Sequence, residues 1–174
     1  RSGLYPVNLP SGIGLEAAGK IIEIGSGVKD LSVGDNVAYA GGVPSAYAEE
    51  RILPALLGVK IPDGISHKVA ACIMTKGLTT HYLLCKTYEL TSKDTVLFHA
   101  AAGGVGQVFS QWAKGIGCKL IGTVGSDDKI AIAKENGCDH VINYTKNDFV
   151  KEVKDITKGL GVSVVYDGVG KNTF

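Results

Sequence analysis

From Thr95 onward the chain alternates strictly between short apolar runs and helical stretches, and this alternation restricts the fold more than any other feature of the sequence. The runs are Thr95-Val96-Leu97-Phe98, Lys119-Leu120-Ile121-Gly122-Thr123-Val124, Val141-Ile142-Asn143 and Val162-Ser163-Val164-Val165-Tyr166. Strands this apolar are buried on both faces, and helices between them demand a parallel sheet with right-handed crossovers. The first helix carries Val105, Val108, Phe109, Trp112, Ala113 and Ile116 on one face, which is predicted to pack on the sheet. Gly117, Gly137 and Gly159 each follow a helical stretch, where a residue without a Cβ ends a helix in the left-handed conformation at little cost. A doubly wound dinucleotide fold typically has about six strands. Four strands therefore predict an incomplete Rossmann sheet in a piece of a longer protein.

Before that region the texture is different. Up to about residue 62 short β runs are broken by turns: Lys20-Ile21-Ile22-Glu23-Ile24 ahead of Gly25, and Asn36-Val37-Ala38-Tyr39-Ala40 after Gly34-Asp35. These read as part of an antiparallel barrel. Ser66 is positioned to cap a helix through Met74, and a second helical stretch, Leu78 to Cys85, follows Gly77. The expected division is a partial barrel domain over 1–74 and a partial nucleotide-binding domain over 75–174.

Composition closes off several function classes. Eighteen basic residues against 17 acidic ones leave a net charge of +1, so there is no bulk electrostatic footprint for nucleic acid or an anionic membrane. The first residues hold no signal-peptide core, and no run of about 18 apolar residues offers a membrane span; the expected location is cytoplasmic. Cys72, Cys85, Cys118 and Cys138 match neither a zinc-ligand spacing nor a disulfide framework.

The chemistry concentrates in the turn His99-Ala100-Ala101-Ala102-Gly103-Gly104-Val105-Gly106, between the first strand and its helix. Ala101, Gly103 and Gly106 occupy the three glycine positions of the dinucleotide fingerprint. Lack of bulk at Gly103 lets a pyrophosphate reach backbone N–H groups and the helix N-terminus, and Gly106 lets the helix approach the strand closely. Alanine at the first position is a departure expected to alter the turn slightly. At the end of the second strand, Thr123-Val124-Gly125-Ser126 offers no carboxylate to grip ribose hydroxyls, as an NAD site would. Gly125, Ser126 and Lys129 leave space, a hydroxyl and a cation for a 2′-phosphate, which favours NADPH. Lys129 has the alternative of a solvated surface lysine, and Asp127 and Asp128 weigh against the phosphate.

The chain resembles the quinone oxidoreductases, the zeta-crystallin-like, zinc-free branch of the medium-chain dehydrogenase/reductase superfamily. The resemblance rests on Arg1 to Pro6, Glu16-Ala17-Ala18-Gly19, Val33-Gly34-Asp35, Ala46-Tyr47-Ala48-Glu49, Lys76-Gly77-Leu78-Thr79, His99 to Gly106, Gln111-Trp112-Ala113-Lys114, Val141-Ile142-Asn143-Tyr144 and Val165-Tyr166-Asp167. Ser45, Glu50 and Gly168 are small departures. It implies a GroES-like β-barrel domain before the Rossmann sheet, and a protein that is a homodimer at full length. By position it places Thr79 at the nicotinamide end of NADPH, Ala102, Gly103, Gly104 and Val105 at the pyrophosphate, Gly125, Lys129 and Tyr144 around the 2′-phosphate, and Gly168 and Val169 beside the nicotinamide ribose. Tyr5 is the candidate for the substrate cleft, with ordinary packing as its alternative. Where zinc-containing relatives have a Gly-His-Glu triplet this chain has Gly14-Leu15-Glu16, and leucine cannot ligate zinc.

The implied activity is hydride transfer from NADPH to a quinone, which needs little acid/base assistance once the reactants are held together and water is excluded. His81, His99 and His140 stand apart from any carboxylate motif and are expected to have structural or surface roles. Two other readings stay open: reduction of an α,β-unsaturated carbonyl on the same fold, and a non-catalytic, crystallin-like NADPH-binding role. These 174 residues alone are expected to show weak or no turnover.

Overall fold

A computed structural model describes residues 6–174 and divides the chain into two compact units, 1–75 and 76–174. In the first unit, β1 (Glu16–Lys20), β2 (Asn36–Ala40) and β3 (Val59–Lys60) form an antiparallel sheet in that order. Val37, Ala38 and Tyr39 of the central strand are buried. The expected strand over 20–24 is displaced toward the N-terminus. Glu16 pairs with Ala40 and Lys20 with Asn36, after which Ile21 exchanges its last hydrogen bonds with Gly34 and Asp35. The segment leading into β2 turns there, at Gly34 with φ +96°, and among the described residues the run Ile22-Glu23-Ile24 pairs with no strand. Pairing outweighs intrinsic strand preference.

Helix α1 (His67–Tyr82) starts where Ser66 predicts, with Ser66 Oγ accepting from Val69 N at 3.3 Å. It does not stop at Met74. One helix runs through Gly77 to Tyr82 and ends in a π-helical turn over Leu83–Thr87. A helical glycine costs about 1 kcal/mol relative to alanine, too little to break a ladder supported on both sides.

In the second unit β4 (Thr95–Phe98), β5 (Lys119–Val124), β6 (His140–Asn143) and β7 (Val164–Tyr166) form a wholly parallel sheet of order β6-β5-β4-β7. Helices α2 (Gly104–Ile116), α3 (Asp128–Glu135) and α4 (Phe149–Ile156) make the crossovers. Side chains alternate across the sheet. Val96, Phe98, Leu120 and Val124 meet Phe109 and Ala113 of α2 and Ala133 of α3 on one face, whereas Leu97, Ile121 and Ile142 meet Val153 of α4 on the other. The sheet is thus wound on both sides, as the apolar runs require. Phe109 is fully buried, its ring 4.3 Å from Phe98 and 4.8 Å from Tyr166, and burial of such a side chain stabilises by roughly 1.5–3 kcal/mol.

The buried stripe of α2 is Gly106, Phe109, Ser110 and Ala113. Trp112, expected on it, is 40% exposed and lies 6.0 Å from the ring of His81. A large indole one position from the stripe covers its flank instead of entering the core. Gly117 ends α2 with φ +88°, Gly137 (φ +119°) follows α3 and Gly159 (φ +84°) follows α4. Among the described residues, no helix is long and apolar enough to cross a membrane.

Candidate dinucleotide site

The order β6-β5-β4-β7 places the first strand of the unit between the second and the fourth. The connection from β4 runs to β5 on one side, and the one from β6 returns to β7 on the other side of β4; the crevice beyond the carboxyl ends of strands at such a reversal is where open α/β sheets bind ligands. Several of the expected residues follow these ends, whereas Thr79 lies on α1 and Lys129 on α3. The fingerprint turn follows β4, Gly125 follows β5, Tyr144 follows β6, and Gly168 and Val169 follow β7.

The turn after β4 is tied to its neighbours. His99 N donates to Tyr166 O at 3.0 Å and Ala101 N to Thr123 O at 2.9 Å, linking it to both adjacent strands, and Gly103 N closes it on Ala100 O at 2.9 Å. The left-handed residue is Ala100, at φ +58°, and not Ala101. Ala101 is fully buried and stands where a Cβ on Gly122 of β5 would meet its own at 2.7 Å. The first fingerprint position is thus filled by a packing residue, and the conformational cost, about 1–2 kcal/mol for a non-glycine in this region, falls one residue earlier.

Gly106 is required by close approach: a Cβ there would lie 2.5 Å from Ala101 O and 2.6 Å from Ala100 O. The start of α2 is suited to an anion. Gly103 caps it in an extended conformation, and among the described residues no side chain caps it and no acid stands in its first turn. Its first N–H groups and positive dipole end thus face outward without a carboxylate on them. Sequence reasoning missed Lys76, which belongs to α1. A Cβ on Gly104 would lie 2.9 Å from Lys76 Cε, so the lysine stem crosses the turn. Only the packing of α1 beside α2 reveals that; the one signal in the chain was its place in the Lys76-Gly77-Leu78-Thr79 motif. Thr79, one turn further along α1, is half-buried.

At the next two strands, Tyr144 N donates to Val124 O at 3.1 Å, folding the end of β6 over that of β5. The Tyr144 hydroxyl comes 3.1 Å from where a Cβ on Gly125 would stand. Gly125 and Tyr144 are therefore neighbours. Lys129 is exposed in the first turn of α3, its amide on Ser126 O at 3.3 Å. After β7, Asp167 organises the loop that holds Gly168 and Val169: Oδ1 accepts from Val169 N at 2.7 Å and Gly170 N at 3.0 Å, and Thr173 Oγ1 donates to Oδ2 at 2.9 Å. The Gly170 and Val169 amides, with Thr173 and His99, hold its carboxyl below the usual range.

His99 is buried, with Nδ1 2.8 Å from Thr123 Oγ1 and its ring edge-on to Phe149 at 5.1 Å. Burial pushes its pKa down, and the charge of Asp167 opposes that. His99 thus has an acidic neighbour that its sequence context did not show, although its hydrogen bond is to threonine. His81 is exposed beside Trp112, and His140 is half-buried in β6. Tyr5 lies outside the described residues. Among the described residues no three His, Cys, Asp or Glu side chains gather where they could hold a metal ion.

The first unit is thus built on an antiparallel sheet, and the second on a parallel dinucleotide-type sheet with a small-residue turn at its switch point. The family model of the alcohol dehydrogenase GroES-like domain matches residues 1–94, and that of the zinc-binding dehydrogenases matches residues 104–174. The chain belongs to the alcohol dehydrogenase GroES-like family, within the medium-chain dehydrogenase/reductase superfamily. Among its relatives, a quinone oxidoreductase of Pseudomonas aeruginosa is 50% identical over 100% of this chain and 54% of its own length. A 2-haloacrylate reductase of a Burkholderia species is 42% identical over 94% of this chain and 50% of its own. The crystal structure of Escherichia coli quinone oxidoreductase complexed with NADPH superposes with a TM-score of 0.95 at 50% identity, covering 99% of this chain and 53% of that one. The chain spans about half the length of these relatives.

Proposed function

We propose that this chain is part of an NADPH-dependent oxidoreductase that reduces a quinone without zinc, with residues 1–74 as part of its GroES-like domain and 75–174 as part of its NADPH-binding domain. The observation that carries the proposal is the fingerprint turn at the switch point, where Gly106 leaves no room for a side chain and, among the described residues, no carboxylate caps α2. These features fit a dinucleotide pyrophosphate, and the E. coli relative of similar fold is complexed with NADPH. The division of the chain between Thr75 and Lys76 supports the domain assignment.

When bound, NADPH would supply the hydride. Ala102, Gly103, Gly104 and Val105 would receive the pyrophosphate on backbone N–H groups, and the Lys76 stem across Gly104 brings a cation to the same turn. Gly125 and Tyr144, neighbours at adjacent strand ends, and Lys129 would surround the 2′-phosphate; Thr79, Gly168 and Val169 would border the nicotinamide half. Tyr5 remains the candidate lining residue of the substrate cleft. The chemistry asked of the protein is positioning and exclusion of water, because a quinone accepts hydride readily once aligned. Leu15 in place of a histidine argues for a reaction without zinc. A second reading, reduction of an α,β-unsaturated carbonyl by the same cofactor, is favoured by the likeness to the 2-haloacrylate reductase.

Steady-state NADPH oxidation by the protein carrying this chain, with a quinone and an unsaturated aldehyde as competing acceptors, separates the two. Faster turnover of the quinone, unchanged by a zinc chelator, is expected. Preference for the aldehyde would reject the first reading, and loss of activity on chelation would reject the zinc-free mechanism.

A further inference from the structure

Asp127 stands two residues after Gly125, in the loop where a carboxylate would accept ribose hydroxyls and repel a 2′-phosphate. Its side chain is held from the end of β6 and the turn after it. Asn143 Nδ2 donates to Asp127 Oδ1 at 2.6 Å, and Lys146 Nζ pairs with Oδ2. Asn143 is only 3% exposed, and its other end is committed, since Oδ1 accepts from Thr145 N at 3.1 Å and from Thr145 Oγ1 at 2.7 Å. An amide with acceptor and donor ends both engaged has one orientation. Asp127 also occupies the N-cap of α3, where an aspartate normally accepts first-turn amides; among the described residues its side chain accepts none of them. Lys146, and then Asn143, hold its carboxyl below the usual range, so the charge persists at neutral pH and only its placement can be adjusted.

We propose that Asn143 and Lys146 set cofactor specificity by drawing the Asp127 carboxylate away from the α3 N-terminus and the space beside Gly125 and Lys129, so that a 2′-phosphorylated dinucleotide is accepted. The proposal rests on the NADPH reading of the same site. Both residues are positioning residues that act through Asp127. Asn143 is the stronger of the two, because the Lys146–Asp127 pair has side chains 64% and 56% exposed, and exposed ion pairs contribute little.

The test is calorimetric titration with NADPH and with NADH, reading the ratio of the two affinities and not turnover. Asn143→Ala is expected to lower the NADPH preference about tenfold, the effect of one unit charge a few ångströms from a phosphate at partly solvated dielectric. Lys146→Met, a surface change with no consequence for folding, is expected to lower it roughly twofold to threefold. In an Asp127→Asn background both effects should vanish, because the charge they control is gone. An unchanged ratio in Lys146→Met and Asn143→Ala, or a fall that persists in the Asp127→Asn background, overturns the proposal. A wild-type chain that binds both dinucleotides equally overturns instead the cofactor reading beneath it.

Discussion

Replacing Gly106 with alanine tests the geometry of the fingerprint turn most directly. The new methyl would lie 2.5 Å from Ala101 O and 2.6 Å from Ala100 O, against an ordinary contact beginning at 3.4 Å. Helix and turn would therefore separate by about 0.9 Å, the difference between 3.4 Å and 2.5 Å. Both obstructing atoms are backbone carbonyl oxygens, and Ala100 O also accepts from Gly103 N at 2.9 Å, so relief by a rotamer change is closed. Overpacking of this kind costs about 1–3 kcal/mol, here toward the upper end, and the better helix propensity of alanine returns about 1 kcal/mol. The net loss of about 2 kcal/mol corresponds to a Tm decrease of roughly 8–16 °C for a domain of this size. NADPH affinity should fall with it, since the displaced amides are those proposed to receive the pyrophosphate. Gly115 in the same helix is the control: a Cβ there meets nothing within 4 Å, so Gly115→Ala should raise Tm. Thermal denaturation followed by circular dichroism reads both. A Gly106→Ala protein as stable as the Gly115→Ala one would refute the close-approach argument.

Thr80 is fully buried and, among the described residues, its Oγ1 has no hydrogen-bond partner, so Thr80→Val should stabilise by about 1 kcal/mol; a lower Tm would reject the unsatisfied hydroxyl. Asp94 is held at about 2 by the hydroxyl and amide of Thr91 and by Tyr88. Its folded pKa is depressed below the usual 3.8, so its contribution is complete above that value and disappears as pH falls toward 2. The Tm difference between wild type and Asp94→Asn should therefore be constant above about pH 4 and close in more acidic solution; a difference independent of pH would contradict the assignment. Burial pushes the Cys118 thiol up to about 11 and raises that of Cys138, whereas Cys72 and Cys85 are exposed. Two thiols should react promptly with a disulfide reagent in the native protein and the other two only on unfolding; prompt reaction of all four would show that the core is open.

Much of the second unit was legible in the chain because its signals are local. The runs at 95–98 and 119–124 coincide with β4 and β5, since an apolar strand flanked by helices has few other ways to be buried. Gly117 ends α2 for reasons contained in its own backbone. Legibility failed where the deciding partner lay far along the sequence. Ile22–Ile24 look like a strand, but β1 is Glu16–Lys20 because β2 stops offering hydrogen bonds at Asn36. Gly77 looks like a helix break, but α1 continues through it. Trp112 looks like core and lies at its edge beside His81.

The candidate site divides in the same way. Local sequence determined its proposed kind: small residues between a strand and a helix, and no acid directly after the second strand, are the features read as a place for a dinucleotide. Tertiary structure decided its arrangement. It brought the Tyr144 hydroxyl to Gly125, laid Lys76 across Gly104, and moved the left-handed backbone to Ala100. It also turned Asp127, which the chain presents as an objection to a 2′-phosphate, toward Asn143 and Lys146. The physical reason is common to all four. Conformational preference and hydrophobic periodicity act over a few residues and can be read in order, whereas contacts between strand ends arise only when the sheet sets β4, β5, β6 and β7 side by side.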